Sequence, residues 1–255
     1  MRIVVVTGGA SGIGRACCHV LSGKGWKVVV LDVNGEGARE VAAEIGGVPG
    51  TLDVGDEHAV EAEAERIERE VGPVYGLVNS AGILAVPVPP EQLPMEEWDR
   101  VVRINQRGTY VTSLAFGLRM AARGSGSIVN IASINAFRSM PFHGYAPTKA
   151  AIVSITMNLA AEWGPSGVRV NAVSPGFTRS PALQAKIDAG ERDVAAIEKA
   201  TALRRLMEPE DSAYAVAFLL SDEASGITGV NLPVEGGWLV MPSWQSYPGI
   251  RGDWP

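Results

Sequence analysis

The chain has 255 residues, of which 46% are hydrophobic and 20% are charged, a composition typical of a globular protein with a large core. It carries 22 Lys and Arg against 28 Asp and Glu, for a formal net charge of −6. This acidic balance, without any Lys/Arg run, argues against nucleic acid as a partner. No apolar stretch approaches the roughly 18 residues that span a membrane, and the apolar N-terminus is too short for a signal peptide.

The two cysteines, Cys17 and Cys18, are neighbours in the sequence. Adjacent cysteines rarely bridge each other, and two thiols alone do not make a metal site. We therefore expect neither a disulfide framework nor a metal centre. Two small core residues in a reduced compartment are the favoured interpretation, and the cytoplasm is the expected location.

Short β-branched runs alternate with longer helical stretches along the chain. Continuous Val/Ile runs joined by helices are typical of a parallel sheet that is covered on both faces. The sequence therefore predicts one α/β domain over residues 1–255: a doubly wound, Rossmann-like parallel sheet of about seven strands with helices on both faces. The predicted strands are 3–6, 27–31, 50–53, 75–79, 127–132, 169–173 and 230–234, and the helices are 15–24, 36–45, 57–71, 95–123, 145–163 and 209–220.

Residues 181–207 differ from the rest of the chain. They are helical in tendency and rich in charge, but their apolar periodicity is weak. They lie between two core elements, where α/β enzymes often carry a lid over the site. We predict a substrate lid here; the alternative is a solvated surface excursion.

A glycine-rich segment follows the first strand and opens the first helix. Gly8, Gly12 and Gly14 let the chain turn tightly and let a pyrophosphate approach the backbone. The N-terminus of the helix then offers unpaired N–H groups and a positive dipole end to that anion. Three glycines alone are a weak signal, because any tight turn from strand to helix can use them.

Asp32 strengthens the interpretation, because it closes the second strand at the distance expected of a dinucleotide site. An acidic side chain there accepts hydrogen bonds from the adenosine ribose. It also repels a 2′-phosphate, and neither Ser11 nor Val33 supplies a compensating cation. The sequence therefore favours NAD over NADP.

Tyr145 and Lys149 are four residues apart, which places both on one face of a helix. A free tyrosine has a pKa of about 10 and is a poor base at neutral pH. A nearby lysine cation stabilises the phenolate, as does the positive charge of an oxidised nicotinamide. The pair could form a proton-transferring site, but this spacing is common by chance and alone is weak evidence for one.

Several short motifs follow one another along the chain: Thr7-Gly8 with Gly12 and Gly14, Asp53-Val54, Asn79-Ser80-Ala81-Gly82, Asn105, Ser133, Tyr145 with Lys149, and Pro175-Gly176 with Thr178. In this order they resemble the short-chain dehydrogenase/reductase family of the ordinary single-domain type, from residue 7 to about residue 238. In two places the chain departs from the family pattern: Ser80 stands where the family has asparagine, and the interval from Ser133 to Tyr145 is shorter by one residue. Neither change removes a catalytic group.

The resemblance implies hydride transfer between a nicotinamide and a secondary alcohol or ketone, without a metal. The implied catalytic residues are Asn105, Ser133, Tyr145 and Lys149. The implied cofactor-binding residues are Gly8, Ser11, Gly12, Ile13, Gly14, Asp32, Asp53, Val54, Asn79, Ala81, Gly82, Tyr145, Lys149, Pro175, Gly176 and Thr178. The implied substrate-binding residues are Ser133, Asn135, Phe142 and Phe177.

Each catalytic residue has a role that the resemblance implies. Tyr145 takes the hydroxyl proton of the alcohol, and Ser133 holds the same oxygen by a hydrogen bond. Lys149 lowers the pKa of Tyr145 and binds the nicotinamide ribose. Asn105 holds, through its helix backbone, a water that links Lys149 to solvent.

The residues near the predicted substrate site mix aromatic and cationic side chains, including Arg138, His143 and Arg179. This mixture fits a polar secondary alcohol, a polyol or a hydroxy acid, and equally a small aromatic ketone.

Residues 239–255 carry two tryptophans and a tyrosine, whereas disordered tails are poor in aromatics. Since the family is commonly homotetrameric, we expect this tail to pack on a neighbouring subunit; the alternative is packing on its own subunit.

Three functional hypotheses remain. The leading one is an NAD-dependent enzyme acting on a small-molecule alcohol or carbonyl compound. A cofactor-sensing protein that has lost its chemistry is disfavoured because it needs no set such as Asn105, Ser133, Tyr145 and Lys149. An epimerase or dehydratase of the longer related branch is disfavoured by the length of the chain and its glycine spacing.

Overall fold

Seven parallel strands form one sheet in a computed structural model that describes residues 1–85 and 87–246. The strands are β1 Ile3–Thr7, β2 Lys27–Asp32, β3 Val48–Thr51, β4 Val74–Asn79, β5 Gly126–Ile131, β6 Val168–Pro175 and β7 Asn231–Val234. Their order in the sheet is β3-β2-β1-β4-β5-β6-β7, which confirms the predicted doubly wound fold. The central strands β1 and β5 are buried along their whole length, as expected of a parallel sheet that is covered on both faces.

Helices cover both faces of the sheet and enclose two apolar cores. One core includes Phe116 and Trp163, and the other includes Leu21 and Leu220. Successive β1 side chains alternate between the two cores, since side chains along a strand point to opposite faces. The helices are α1 Gly12–Gly23, α2 Gly35–Ile45, α3 Glu57–Glu70, α4 Met95–Val101, α5 Gly108–Arg123, α6 Tyr145–Trp163, α7 Pro181–Asp188, α8 Val194–Lys199 and α9 Pro209–Leu220.

The structure corrects three predicted boundaries. Strand β3 ends at Thr51 rather than at residue 53, because its register with β2 pairs Asp32 with Thr51. Helix α1 begins at Gly12, directly after the glycine turn. The predicted helix 95–123 is interrupted by a π-helical segment, Val102–Arg107, between α4 and α5; such segments are often found at functional sites.

The topology creates a crevice at the carboxyl end of β1. The chain leaves β1 towards β2 and β3 and then returns to β4 on the other side of β1. Connections therefore diverge at this point, where open α/β sheets bind ligands. No helix in the described part of the chain is long and apolar enough to cross a membrane.

Gly14 lies where the first helix passes over the glycine turn. A Cβ at Gly14 would lie 2.1 Å from the carbonyl oxygen of Gly8, whereas a Cβ at Gly23, in the same helix, would meet nothing within 4 Å. We expect Gly14→Ala to lower the free energy of unfolding by about 2–3 kcal/mol through overpacking. Gly23→Ala is the matched control and should raise it by up to about 1 kcal/mol. Urea unfolding of both variants measures the difference, and equal stabilities would contradict the close approach.

Candidate active site

A cleft of about 550 Å³ occupies the crevice beside β1. Two features of its glycine turn fit a phosphate group. Gly8 has φ +67°, and a Cβ on it would lie 2.7 Å from the Ala81 Cα, so no side chain fits between the turn and the segment after β4. Ser11, the N-cap of α1, makes no side-chain capping hydrogen bond, and the first turn of α1 has no acidic residue. The N–H groups of that turn are therefore available to an anion.

Asp32 faces the cleft from the end of β2. Its carboxylate accepts hydrogen bonds from the N–H of Ala10 (3.0 Å) and the N–H of Asn34 (2.9 Å). Both bonds fix the orientation of the carboxylate and leave acceptor capacity on its oxygens. The site can therefore hold a ribose diol at this end of the cleft.

Asp53 lines the cleft two residues after Thr51, the β3 partner of Asp32, and is held by two donors. It accepts hydrogen bonds from the N–H of Gly55 (2.8 Å) and from Arg103 Nη1 (3.0 Å). Burial acts to raise the pKa of Asp53, but these hydrogen bonds and the Arg103 charge together hold it below its ordinary value. Arg103 and Arg100 line the same cleft. Sequence reasoning missed both arginines. Arg103 reaches Asp53 from the π-helical segment, which the sequence did not predict.

Tyr145 and Lys149 lie one turn apart at the start of α6 and both line the cleft. Burial raises the pKa of Tyr145 to about 12, and a hydrogen bond with Ser133 acts in the opposite direction. The Lys149 Nζ donates to the Ile131 carbonyl at 2.8 Å and lies 5.4 Å from the centroid of the Tyr145 ring. Burial lowers the pKa of Lys149 to about 8. The structure therefore brings the phenol, the hydroxyl and the amine together.

Asn105 is fully buried in the π-helical segment and reaches back to the segment after β4. Its Oδ1 accepts from the N–H of Ile83 (2.8 Å), and its Nδ2 donates to the Ile83 carbonyl (2.9 Å). A Cβ on Gly82 would lie 3.2 Å from Asn105 Oδ1 and 3.7 Å from Lys149 Nζ. The Asn105 amide therefore fixes the segment that passes beside Lys149, a supporting position that local sequence did not suggest.

Asn79 is the buried last residue of β4 and does not line the cleft. Its Nδ2 donates to Ser113 Oγ and to Asn130 Oδ1, both at 2.9 Å, and its Oδ1 accepts from Thr112 Oγ1 at 2.7 Å. Since its amide is occupied by these partners, Asn79 supports β4 and β5 from inside. Its contact with the cofactor stays a prediction.

The other predicted cofactor residues border the cleft or the cavity next to it. Pro175 ends β6, Gly176 and Thr178 follow it, and all three line the adjoining cavity. The remaining ones line the cleft itself: Gly8, Ser11, Gly12, Ile13, Gly14, Asp32, Asp53, Val54, Ala81, Gly82, Tyr145 and Lys149.

The adjoining cavity, of about 240 Å³, begins at Ser133 and Tyr145. The predicted substrate residues Asn135, Phe142 and Phe177 line it, whereas Arg138, His143 and Arg179 do not. Residues of the predicted lid also line it, among them the cations Lys186 and Arg192. Sequence reasoning did not single out these two cations, because charge in a variable segment is usually solvated.

The predicted lid contains α7 and α8 and is joined to the sheet at its base. Thr178 and Met207 form a parallel β-bridge, and the N–H of Met207 donates to the Phe177 carbonyl at 2.9 Å. The Phe177 ring packs edge-on against Trp238 at 5.9 Å. The predicted tail starts next to this contact, where the Leu239 carbonyl accepts from Arg138 at 2.8 Å. Residues 247–255 of the tail lie outside the described residues.

Comparison with known proteins finds a reductase family and relatives named as dehydrogenases. Residues 8–239 match a family described as enoyl-(acyl carrier protein) reductase. A D-threitol dehydrogenase from Mycolicibacterium smegmatis is 37% identical over 94% of this chain and 93% of its own length. An NAD-dependent glycerol dehydrogenase from Listeria innocua is 38% identical over 94% of each chain.

Solved structures share the fold of this chain. A crystal structure described as ribose-5-phosphate isomerase from Brucella melitensis 16M has a TM-score of 0.95 and 48% identity, over 98% of this chain and 97% of that one. ElxO with NADP bound has a TM-score of 0.88 and 28% identity, over 93% and 98% of the two chains.

The matched family and relatives define a nicotinamide-dependent oxidoreductase that acts on alcohol or carbonyl groups. The chain belongs to the short-chain dehydrogenase/reductase family, as the resemblance in its motifs predicts.

Proposed function

We propose that this enzyme oxidises a small secondary alcohol with NAD⁺ and that Tyr145 is its general base. The observation that carries the proposal is the junction of the two cavities, where Tyr145, hydrogen-bonded to Ser133, borders both. When bound, the nicotinamide supplies the hydride acceptor. Gly8, Gly14 and Asp32 are the residues that would hold the pyrophosphate and the adenosine ribose.

The catalytic residues divide the proton chemistry between them. The Tyr145 phenolate oxygen takes the hydroxyl proton of the alcohol, and Ser133 donates a hydrogen bond to the same substrate oxygen. Ser133 Oγ itself accepts from the N–H of Asn135 (3.2 Å), which holds the hydroxyl in place beside Tyr145. The charge of Lys149 favours the phenolate. Asn105 positions the segment beside Lys149 and, in this proposal, a relay water.

The pH dependence should differ between the two directions. Tyr145 has a pKa of about 12 and is protonated at neutral pH, so alcohol oxidation, which needs the phenolate, should accelerate as pH rises. The rise should flatten as Lys149, with a pKa of about 8, loses its charge. Ketone reduction needs the protonated phenol and should gain nothing from alkali. Measurements of kcat against pH in both directions test this, and faster oxidation at lower pH would contradict it.

We propose NAD(H) as the preferred cofactor because Asp32 presents a carboxylate to the ribose, and Ser11 and Val33, which line the cleft with it, carry no positive charge. The relatives alone leave the choice open, since one is NAD-dependent and one solved structure holds NADP. Titration of the purified protein with NADH and with NADPH, followed by fluorescence, gives the preference. A screen of secondary alcohols with NAD⁺ then tests turnover, and binding of neither cofactor would favour a non-catalytic role.

We also propose that the protein is a homotetramer and that it acts in the cytoplasm, where Cys17 and Cys18 stay reduced. Large apolar side chains are exposed on two separate surfaces, Leu118 and Met157 on α5 and α6 and Tyr214 and Phe218 on α9. Two different two-fold interfaces generate a tetramer. Sedimentation of Leu118→Lys and Phe218→Lys should each give dimers, and a monomeric wild type would contradict the proposal.

The tail and the lid complete the proposal. In such a tetramer, residues 239–255 would reach a neighbouring subunit near its substrate cavity, while residues 181–207 close over the cavity of their own subunit. Truncation after Met241 should weaken assembly or raise KM. A truncated protein with unchanged assembly and kinetics would favour the alternative in which the tail packs on its own subunit.

Isomerisation of a sugar phosphate is a second candidate, because the solved structure with 48% identity carries that description. Such a reaction interconverts an aldose and a ketose without net oxidation. It would therefore produce ketose with no change in NADH absorbance. Assaying ribose 5-phosphate both for ketose and for NADH separates the two functions.

A further inference from the structure

The substrate cavity has an asymmetric charge. Among the described residues that line it, the only charged side chains are Lys186 and Arg192, and neither Asp nor Glu is present. The cofactor cleft, in contrast, is lined by both signs, with Asp32 and Asp53 beside Arg100 and Arg103. The two cations lie on the lid, whereas Ser133 and Tyr145 lie on the core side.

Neither cation is fully neutralised by a neighbour. Arg192 donates through Nη1 to the backbone carbonyl of Glu191 (2.9 Å), and within the described chain no carboxylate lies within ion-pair distance of it. The Lys186 Nζ lies 3.8 Å from Glu191 Oε2, a long contact to a carboxylate that is 59% exposed. Arg179, another cation of this region, is instead paired with Glu208 and hydrogen-bonded to Gln184. An exposed ion pair is weak, so the lid presents a net positive charge to the cavity.

The rest of the wall sets the size and character of the ligand. Met140, Phe142, Phe177 and Leu183 give the cavity apolar sides. Its volume of about 240 Å³ lies below the roughly 300–1,000 Å³ of pockets that hold drug-sized ligands. A ligand that fits has a short carbon skeleton, with its reacting hydroxyl at Tyr145.

We propose that the substrate is a small secondary alcohol that carries an anionic group, a carboxylate or a phosphate monoester, which Arg192 and Lys186 bind. Guanidinium and ammonium groups form charge-assisted hydrogen bonds with both kinds of anion. This inference rests on the proposed function, because it takes Tyr145 as the reacting end of the cavity. Neutral alcohols of the same skeleton are then the poorer substrates.

The first experiment compares alcohols that share a skeleton and differ in charge, with NAD⁺ as oxidant. One series is erythritol, erythronate and erythritol phosphate, and the other is sec-butanol and β-hydroxybutyrate. The anionic members should exceed the neutral ones in kcat/KM by about tenfold or more, the effect of one charge-assisted hydrogen bond. Erythronate against erythritol phosphate shows which anion is preferred. Neutral alcohols that are oxidised equally well or better would overturn the proposal.

Variants of the lid assign the preference to these two residues. In the double variant Lys186→Gln/Arg192→Gln, the ratio of kcat/KM between anionic and neutral substrates should fall by about tenfold or more. Lys199→Gln removes a positive charge from the lid outside the cavity, and it should leave the ratio unchanged. A ratio that the double variant does not move would overturn the proposal.

A binding measurement decides the question without turnover. The complex with NADH, in which the glycine turn is filled, is titrated with acetate and with inorganic phosphate, and its fluorescence is followed. Saturable binding should occur in the wild type and be lost in the double variant. Binding of neither anion, or binding that survives in the double variant, would overturn this inference alone, whereas a failure to bind NADH would count against the proposed function.

Discussion

Replacing Tyr145 with phenylalanine should lower kcat for alcohol oxidation by about a thousandfold, within the range of general acid–base catalysis. The substitution removes only the phenol oxygen, which is hydrogen-bonded to Ser133 and faces both cavities. The ring stays, so the packing of α6 and the affinity for NADH should change little. Steady-state kinetics with NAD⁺ and fluorescence titration with NADH measure the two quantities separately.

A matched control distinguishes chemistry from a general effect of losing a tyrosine hydroxyl. Tyr214→Phe makes the same change on α9, where the side chain is 59% exposed, and it should leave kcat within twofold of the wild type, a ratio equivalent to about 0.4 kcal/mol. Ser133→Ala should give an intermediate loss of about tenfold to a hundredfold, because one hydrogen bond to the substrate oxygen is removed. If Tyr145→Phe retained most of the activity, Tyr145 would not be the base.

The wild type should bind NADH more tightly than NADPH by about a hundredfold, and Asp32→Ser combined with Val33→Arg should reverse this preference. Asp32 is held by the N–H groups of Ala10 and Asn34, so its charge stays where a 2′-phosphate would approach. Removing the carboxylate abolishes both a hydrogen-bond acceptor for the ribose and this repulsion. Val33 is 72% exposed beside it, so an arginine there can reach the phosphate. Hydrogen bonds to charged groups contribute about 1.5–3 kcal/mol, which corresponds to roughly tenfold to a hundredfold.

Glu36→Gln is the control for this pair of substitutions. Glu36 is an exposed acid in the first turn of α2 and lines neither cavity, so its loss should not alter the preference. If the wild type preferred NADPH, the interpretation of Asp32 would be wrong and a cation elsewhere would bind the phosphate. Arg39→Gln would then identify it, since Arg39 is exposed on the same helix.

Local patterns in the sequence were sufficient for the order of the strands, and they predict the chemistry at both ends of the site. The Val/Ile runs of β1 and β2 predict buried parallel strands because a sheet covered on both faces needs apolar side chains at every position. The glycine turn follows β1 and Asp32 ends β2, while Tyr145 and Lys149 lie on one helix turn. These are short-range arrangements that follow from strand and helix geometry alone.

Contacts between residues far apart in the chain were not predictable in this way. Three hydrogen bonds of the site join different elements of the chain. They link Arg103 to Asp53, Asn105 to Ile83 and Asn79 to Ser113. The charge of the substrate cavity is of the same kind, because Lys186 and Arg192 belong to a segment with weak periodicity. Their position depends on how the lid packs against the sheet. Periodicity reports only which face of an element is apolar, whereas packing of the whole chain decides which side chains meet across a cavity.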